Sequence, residues 1–202
     1  RVQAVQYAGY SERRSEVEIG STKGVDGAYR VGYASLFTAL VMREGDSVKQ
    51  GYEGEAKREF HQLDPGRTAQ ESLRKIGRHL GARPLKTGRR RAVFEPDVVS
   101  TLLMLFLYAA SGKTLAEGRS RLEGKLGQKI ASELVTIVDD ATLREGLGSR
   151  PFDSEGTPAK RLTLVEDGVL RSFLHNTDTA ARTGQANTGH ASRSYKGTMD
   201  VS

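Results

Sequence analysis

The apolar positions of this chain change period twice, and each change marks an element. Residues 15–21, SEVEIGS, set Val17 and Ile19 on one face, the period-two alternation of a half-buried strand, and a turn-rich stretch follows over residues 20–27. GAYRVGYASLFTALVMREGDSVKQGYEGEAKREF then reads as two long strands hinged at Glu44-Gly45-Asp46, a hairpin signal. In LDPGRTAQESLRKIGRHLGAR the period lengthens, with Leu73, Ile76 and Leu80 at helical spacing. Thr68 is the expected N-cap, Glu71 its capping-box partner and Gly81 the terminator, so one helix covers one face of an antiparallel sheet.

The second half opens with RAVFEP, read as a short strand running into Pro96 at a first helical turn. Residues 97–111 are apolar almost all round, which predicts a helix buried on every side. Residues 112–130 hold glycines 112, 118, 124 and 127 among charges and predict a mobile loop with broken helical turns. ELVTIVDD reads as a strand, SRPFDSEGTPAKR as an irregular loop, and RLTLVEDGVLRSFLH as a hairpin turning on Asp167-Gly168. TDTAARTG is at most a short helix. The expected class is α+β: an antiparallel sheet with a helix layer over residues 1–88, then a β-rich second domain containing the apolar helix over residues 89–202.

Composition narrows the chemistry. The 202 residues include no cysteine, so neither disulfides nor thiolate ligands arise within this sequence, and a cytoplasmic home is expected. The longest apolar run is too short to span a bilayer, so no membrane partner is expected, and both ends read as interruptions of a longer chain. Residues 1–91 carry 18 basic against 11 acidic side chains, a surplus of seven, whereas the remainder carries 13 against 14. The surplus concentrates in RPLKTGRRR, residues 83–91. Without interleaved aromatics or a nucleic-acid motif this segment reads as a solvated linker, with a nucleic-acid-associated regulator as the alternative function.

Few side chains offer a site. ASGKT ends like a phosphate-binding loop, but Leu107 stands where the first glycine belongs and a helical pattern precedes it, so nucleotide binding is not expected. His61, His79, His175 and His190 lack metal-ligand spacing; His175 closes a hairpin strand, and His190, in the polar NTGHAS, is the one placed to line a cleft. Asp139-Asp140 reads as a turn at a strand end, and Asp153 with Glu155 in FDSEGTP as either a braced loop or a site. Ser111, Ser132 and Ser154 have no nucleophile-elbow context.

Residues 149–191 resemble the TldD/PmbA family, whose members are also known as modulators of DNA gyrase and microcin-processing peptidases. The matching pieces are FDSEGTPAKR, the VEDGVL hairpin, TAARTG and TGH, supported upstream by LGARPLKTGRRRAVFEPDVVSTLL, ELVTIVDD and GAYRVGYASLFTALVMREGD. The resemblance implies a two-domain α+β protein that works as a dimer, with a TldD-type subunit that is a zinc metalloprotease acting on extended peptides. In that subunit a helix bears H-E-x-x-x-H. Aligned here, the motif falls on MLFLYA: Met104 and Ala109 stand at the histidine positions and Leu105 at the glutamate. Thioether, alkyl and methyl groups supply neither zinc ligands nor a base.

The resemblance is therefore to the PmbA branch, also called TldE-like, which lacks the motif. It implies a non-catalytic partner subunit in peptide maturation and proteolysis, with no cofactor in this chain and zinc only in a sister subunit. The expected partners are a TldD-like catalytic subunit and an unfolded or extended peptide; a homodimer is the other assembly it allows, and nucleic acid is disfavoured. Expected peptide or partner contacts are Asp153, Glu155, Gly156, Thr188, Gly189 and His190.

Overall fold

The structure is a computed structural model that describes residues 1–194, 197 and 199–201. The chain folds as two compact units, one of residues 1–16 and 30–91, the other of residues 17–29 and 92–202.

The first unit is built on a three-stranded sheet in the order β1 (Val2–Gly20), β2 (Asp26–Glu44), β3 (Ser47–Lys57). The β2–β3 hairpin turns within the predicted Glu44-Gly45-Asp46 hinge, but Glu44 pairs with Ser47 and leaves only Gly45-Asp46 in the turn. β1 begins thirteen residues before the predicted strand. Its first half is exposed on both faces, so no buried face imprints an alternation there.

Helix α1 (Pro65–Gly77) covers one sheet face through residues four apart, Thr68, Ser72 and Ile76. Ile76 sits over Gly51, opposite Leu40 in the register, and with Met42 these form the unit's core. Polar contacts fix the helix to β3: Glu55 takes the Thr68 hydroxyl at 2.9 Å, and Glu53 pairs with Lys75 at 2.7 Å. The opposite face carries a stack of Tyr7, Phe37 and Tyr52.

The expected cap at Thr68 is corrected by the structure. Asp64 is the N-cap, accepting the Arg67 N–H at 2.9 Å, and Pro65 opens the helix with its φ already fixed. Thr68 lies a full turn inside and faces the sheet; the helix also stops at Gly77, short of Gly81.

In the second unit, β4 (Ile137–Asp140), β5 (Arg161–Glu166) and β6 (Val169–Leu170) form an antiparallel sheet. The β5–β6 hairpin turns on Asp167 and Gly168, both at positive φ, the two-residue geometry foreseen from Asp-Gly. Val165, Leu170 and Phe173 make the core, joined by Phe106, Leu115, Leu122, Ile130 and Ile137. Helix α2 (Pro96–Ala110) leads into the short α3 (Gly112–Ala116), α4 is Thr177–Thr183, and β7 (Ala191–Arg193) pairs with β8 (Met199–Val201). Antiparallel sheets with helices make the molecule α+β. Among the described residues no helix is long and apolar enough to cross a membrane.

Three expectations for this unit fail. RAVFE forms no strand; it reaches Pro96 as irregular chain. Helix α2 is not buried on every side: Ala110 alone is fully buried, and Met104 and Leu105 are 71% and 66% exposed. Apolarity on all sides reports what a helix can lie against, and among the described residues only its C-terminal half meets the core. Residues 112–130 hold the expected broken helical turn, α3, followed by turns, but the segment is not loose. Gly127 and Ile130 donate to Leu170 and Gly168, and Leu170 donates back to Gln128, lashing the segment along β6.

The Asp64 cap gives a direct check: Asp64→Ala should cost about 1 kcal/mol in chemical denaturation, whereas Glu71→Ala, which removes only an exposed pairing with Arg74, should cost well under that.

Candidate functional site

All six residues singled out from the loops, Asp153, Glu155, Gly156, Thr188, Gly189 and His190, converge in the second unit, and each is tied into one hydrogen-bonded knot. Asp153 is buried beneath its own loop. One carboxylate oxygen accepts the Glu155 and Thr157 N–H groups at 2.9 Å, and the other accepts the Ala191 N–H at 2.9 Å. Three main-chain donors thus close FDSEGTP on itself and fasten it to β7. Glu155 reaches α4, accepting the Thr177 N–H at 2.9 Å and its hydroxyl at 2.6 Å. Gly156 turns at φ +80 against Val25, and Tyr29 meets Phe152 edge-on, both from the β1–β2 tip that belongs to this unit.

On the other side of the knot Asn187 bonds Thr157, Thr177 and the Gly189 N–H. The next residues place a carboxylate, an imidazole and a hydroxyl in line. Asp139 Oδ2 lies 3.0 Å from His190 Nε2, and His190 Nδ1 lies 2.9 Å from Thr188 Oγ1. The order is that of a nucleophilic triad, but the hydroxyl cannot serve as one. Thr188 is buried, and its oxygen also receives the His175 N–H at 2.6 Å and lies 3.1 Å from the His175 carbonyl. A nucleophile needs an oxygen open to substrate, and this one is enclosed by main chain. The arrangement braces residues 187–191 against residue 175.

His175 and Asp139 are the residues that sequence reasoning undervalued. His175 is 1% exposed and precedes Asn176, the N-cap of α4, whose side chain accepts the Thr179 N–H at 2.9 Å. Its Nδ1 lies 3.3 Å from Thr179 Oγ1, and its Nε2 is buried without a hydrogen-bond partner among the described residues. Burial pushes His175 below the ordinary histidine range, and neighbouring His190 adds to this. The available signal was N-x-x-T after His175, a capping arrangement that anchors the residue before it. Asp139 gave none: its partner lies 51 residues away.

The GKT stretch has a structural explanation at every position. Ser111 caps α3 by accepting the Lys113 N–H, and the Thr114 hydroxyl bonds back to Tyr108 and Ser111 at 2.8 Å. Lys113 pairs with Asp200 at 2.9 Å, which raises the ammonium pKa and lowers that of the carboxyl. Gly112 donates to the Leu174 carbonyl at 2.6 Å while His175 packs on its Cα. A methyl group there would collide with His175 Nδ1 and lie 2.7 Å from the Leu174 carbonyl.

Met104, Leu105 and Ala109 lie apart in sequence and role, on α2. They offer a thioether, an alkyl chain and a methyl group, which do not fit a zinc ion and its base. Among the described residues no group of three or more His, Cys, Asp or Glu side chains is arranged to hold a metal.

Two measurements test this geometry. Gly112→Ala should destabilise the fold by roughly 1–3 kcal/mol or more, since one of the clashing atoms is main chain, while Gly118→Ala should lose less because its Cβ meets open space and only its positive φ opposes the change. His175 has a folded-state pKa below its unfolded value, so the unfolded chain binds the proton first as pH falls. Its contribution is complete above about pH 6.5 and is lost below it. Thermal unfolding from pH 7.5 to 5 should show this slope, and His175→Gln should flatten it.

Residues 87–202 match the PmbA/TldA metallopeptidase C-terminal domain and residues 1–80 its central domain. A metalloprotease of Methanothermobacter thermautotrophicus is 36% identical over 162 residues, covering 78% of this chain and 36% of that protein. Among solved structures, a Thermotoga maritima protein named for modulating DNA gyrase superposes on all of this chain and 46% of its own, with a TM-score of 0.85 at 26% identity. TldE from Thermococcus kodakarensis shares the fold at 24% identity, with a TM-score of 0.80 over 96% of this chain and 45% of that one. The chain spans less than half the length of these relatives. With two consecutive domain matches and the likeness of the curated relative, the chain belongs to the PmbA/TldD metallopeptidase family.

Proposed function

We propose that this chain is the non-catalytic partner subunit of a TldD/PmbA-type zinc metallopeptidase complex that matures and degrades peptides in the cytoplasm. The observation that carries the reading is the donor set on α2: Met104, Leu105 and Ala109 stand where the resemblance puts two histidines and a glutamate. With no lone pairs suited to zinc and no base for its water, these positions perform no metal-assisted hydrolysis, and zinc belongs to the sister subunit. What this chain contributes is shape. β1 is an edge strand of nineteen residues, and an extended peptide docks on such an edge by main-chain hydrogen bonding. The knot around FDSEGTP and NTGHAS supplies a rigid second surface. Its contact role falls to the partly exposed Glu155 and Gly156, held in place by Asp153, Thr188, Gly189 and His190. The basic residues 83–91 are exposed throughout, and they act as a connector.

Co-purification of the full-length protein with a sister bearing H-E-x-x-x-H should yield a stoichiometric complex, with peptide cleavage only when the sister is present and faster when both are. Zinc bound stoichiometrically by the isolated full-length protein, or failure to associate, would contradict the proposal. Substituting Asp153 and Glu155 together should weaken association or cleavage; unchanged values for both would remove the knot from the contact surface.

A further inference from the structure

The hydroxyl of Thr188 has one proton and two acceptors within reach of it: the His175 carbonyl at 3.1 Å and His190 Nδ1 at 2.9 Å. One of its lone pairs is already committed to the His175 N–H at 2.6 Å, a main-chain donor that cannot reverse its role. On the far side of the His190 ring the Asp139 carboxylate is an acceptor, so Nε2 carries a proton whether the ring is charged or neutral.

Two complete arrangements follow. When the ring is an imidazolium, Nδ1–H donates to Thr188 Oγ1, and the hydroxyl proton points to the His175 carbonyl. When the ring is neutral, Nδ1 becomes an acceptor and takes the hydroxyl proton, leaving that carbonyl to the Thr188 and His190 amide N–H groups, both at 3.2 Å. Neither state strands a buried donor or acceptor at His190 or Thr188, so the proton can come and go without breaking the brace.

We propose that Thr188 is a hydroxyl switch, transferring its hydrogen bond from His190 to the His175 carbonyl when His190 takes up a proton. The carbonyl it engages belongs to the residue just ahead of the Asn176 cap of α4.

The other titratable groups around the ring are committed to partners of their own. Facing the cluster is Asp139 on β4; the next residue, Asp140, instead accepts from the Thr142 N–H and hydroxyl, with Arg161 of β5 beside it at 3.8 Å. Asp153 stands on the loop side, committed to the Ala191 N–H. Lys113 on α3 and Asp200 on β8 neutralise each other, and α4 contributes the uncharged Thr179. His175 does not compete for the proton, because its ring is wedged against Gly112 and its burial favours the neutral form.

The test is NMR on the full-length protein carrying histidine labelled with 15N in the ring and 13C at the carbonyl, with His190→Gln and His175→Gln to assign the signals. Neutral His190 should be the Nε2–H tautomer, and the His175 carbonyl shift should follow the titration of the His190 ring. Thr188→Ser should keep that response. Thr188→Val should abolish it while the His190 ring still titrates; if this variant does not fold, the wild-type tautomer and the serine variant decide. A neutral Nδ1–H tautomer, a His190 ring that never changes state between pH 5 and 9, loss of the response in Thr188→Ser, or its survival in Thr188→Val would overturn the switch.

Discussion

The packing of His175 on Gly112 is the constraint around which the second unit is arranged. The ring touches the glycine where any side chain would collide with it, and the Gly112 N–H meanwhile bonds the Leu174 carbonyl. That contact sets α3 beside the strand-like segment after β6. The His175 main chain then holds residue 188 through its N–H and residues 188 and 190 through its carbonyl. Asn176, the next residue, starts α4. One residue therefore joins α3, α4 and the NTGHAS loop, and FDSEGTP is added to them through Asp153 and Ala191.

This arrangement explains how polar residues so dense in chemistry come to serve as a brace. A carboxylate, an imidazole and a hydroxyl lie in sequence, but the hydroxyl faces main chain and the second carboxylate, Asp153, is spent on three amide groups. In a dry interior such groups are costly when unpaired and rigidifying when paired. Paired as they are here, they specify a loop geometry. Under the proposed function that geometry is what the unit contributes: a fixed surface.

Much of the fold was legible because it rests on local chemistry. Glu44-Gly45-Asp46 and Asp167-Gly168 could be read as hairpins since a two-residue turn needs backbone angles that few residues adopt. The FDSEGTP and NTGHAS residues could be grouped by their resemblance to family motifs, and they do meet in space. What could not be read depended on distant partners. Thr68 looks like a cap until Asp64 and Pro65 are seen to start the helix earlier, leaving Thr68 to Glu55. Asp139 looks like a turn residue until His190 arrives from another strand, and Gly112 looks like part of a phosphate loop until His175 is packed against it.

Helix α2 shows the same limit from the opposite direction. Its sequence reports apolar surface on all sides, yet Phe106 joins the core while Leu102, Met104, Leu105 and Tyr108 remain exposed. Hydrophobicity alone assigns no neighbour; it only makes exposure expensive, at about 25 cal/mol for each square ångström of apolar surface left in water. Met104 and Leu105, with Ala109 one turn on, are also the positions on which the proposed function rests, because a zinc site would need nitrogen or oxygen donors there. Replacing such donors with apolar groups removes a desolvation cost as well as a ligand set. A helix with apolar groups at these positions is poorly suited to holding an ion and better suited to lying against another apolar surface, as the proposed function has it do.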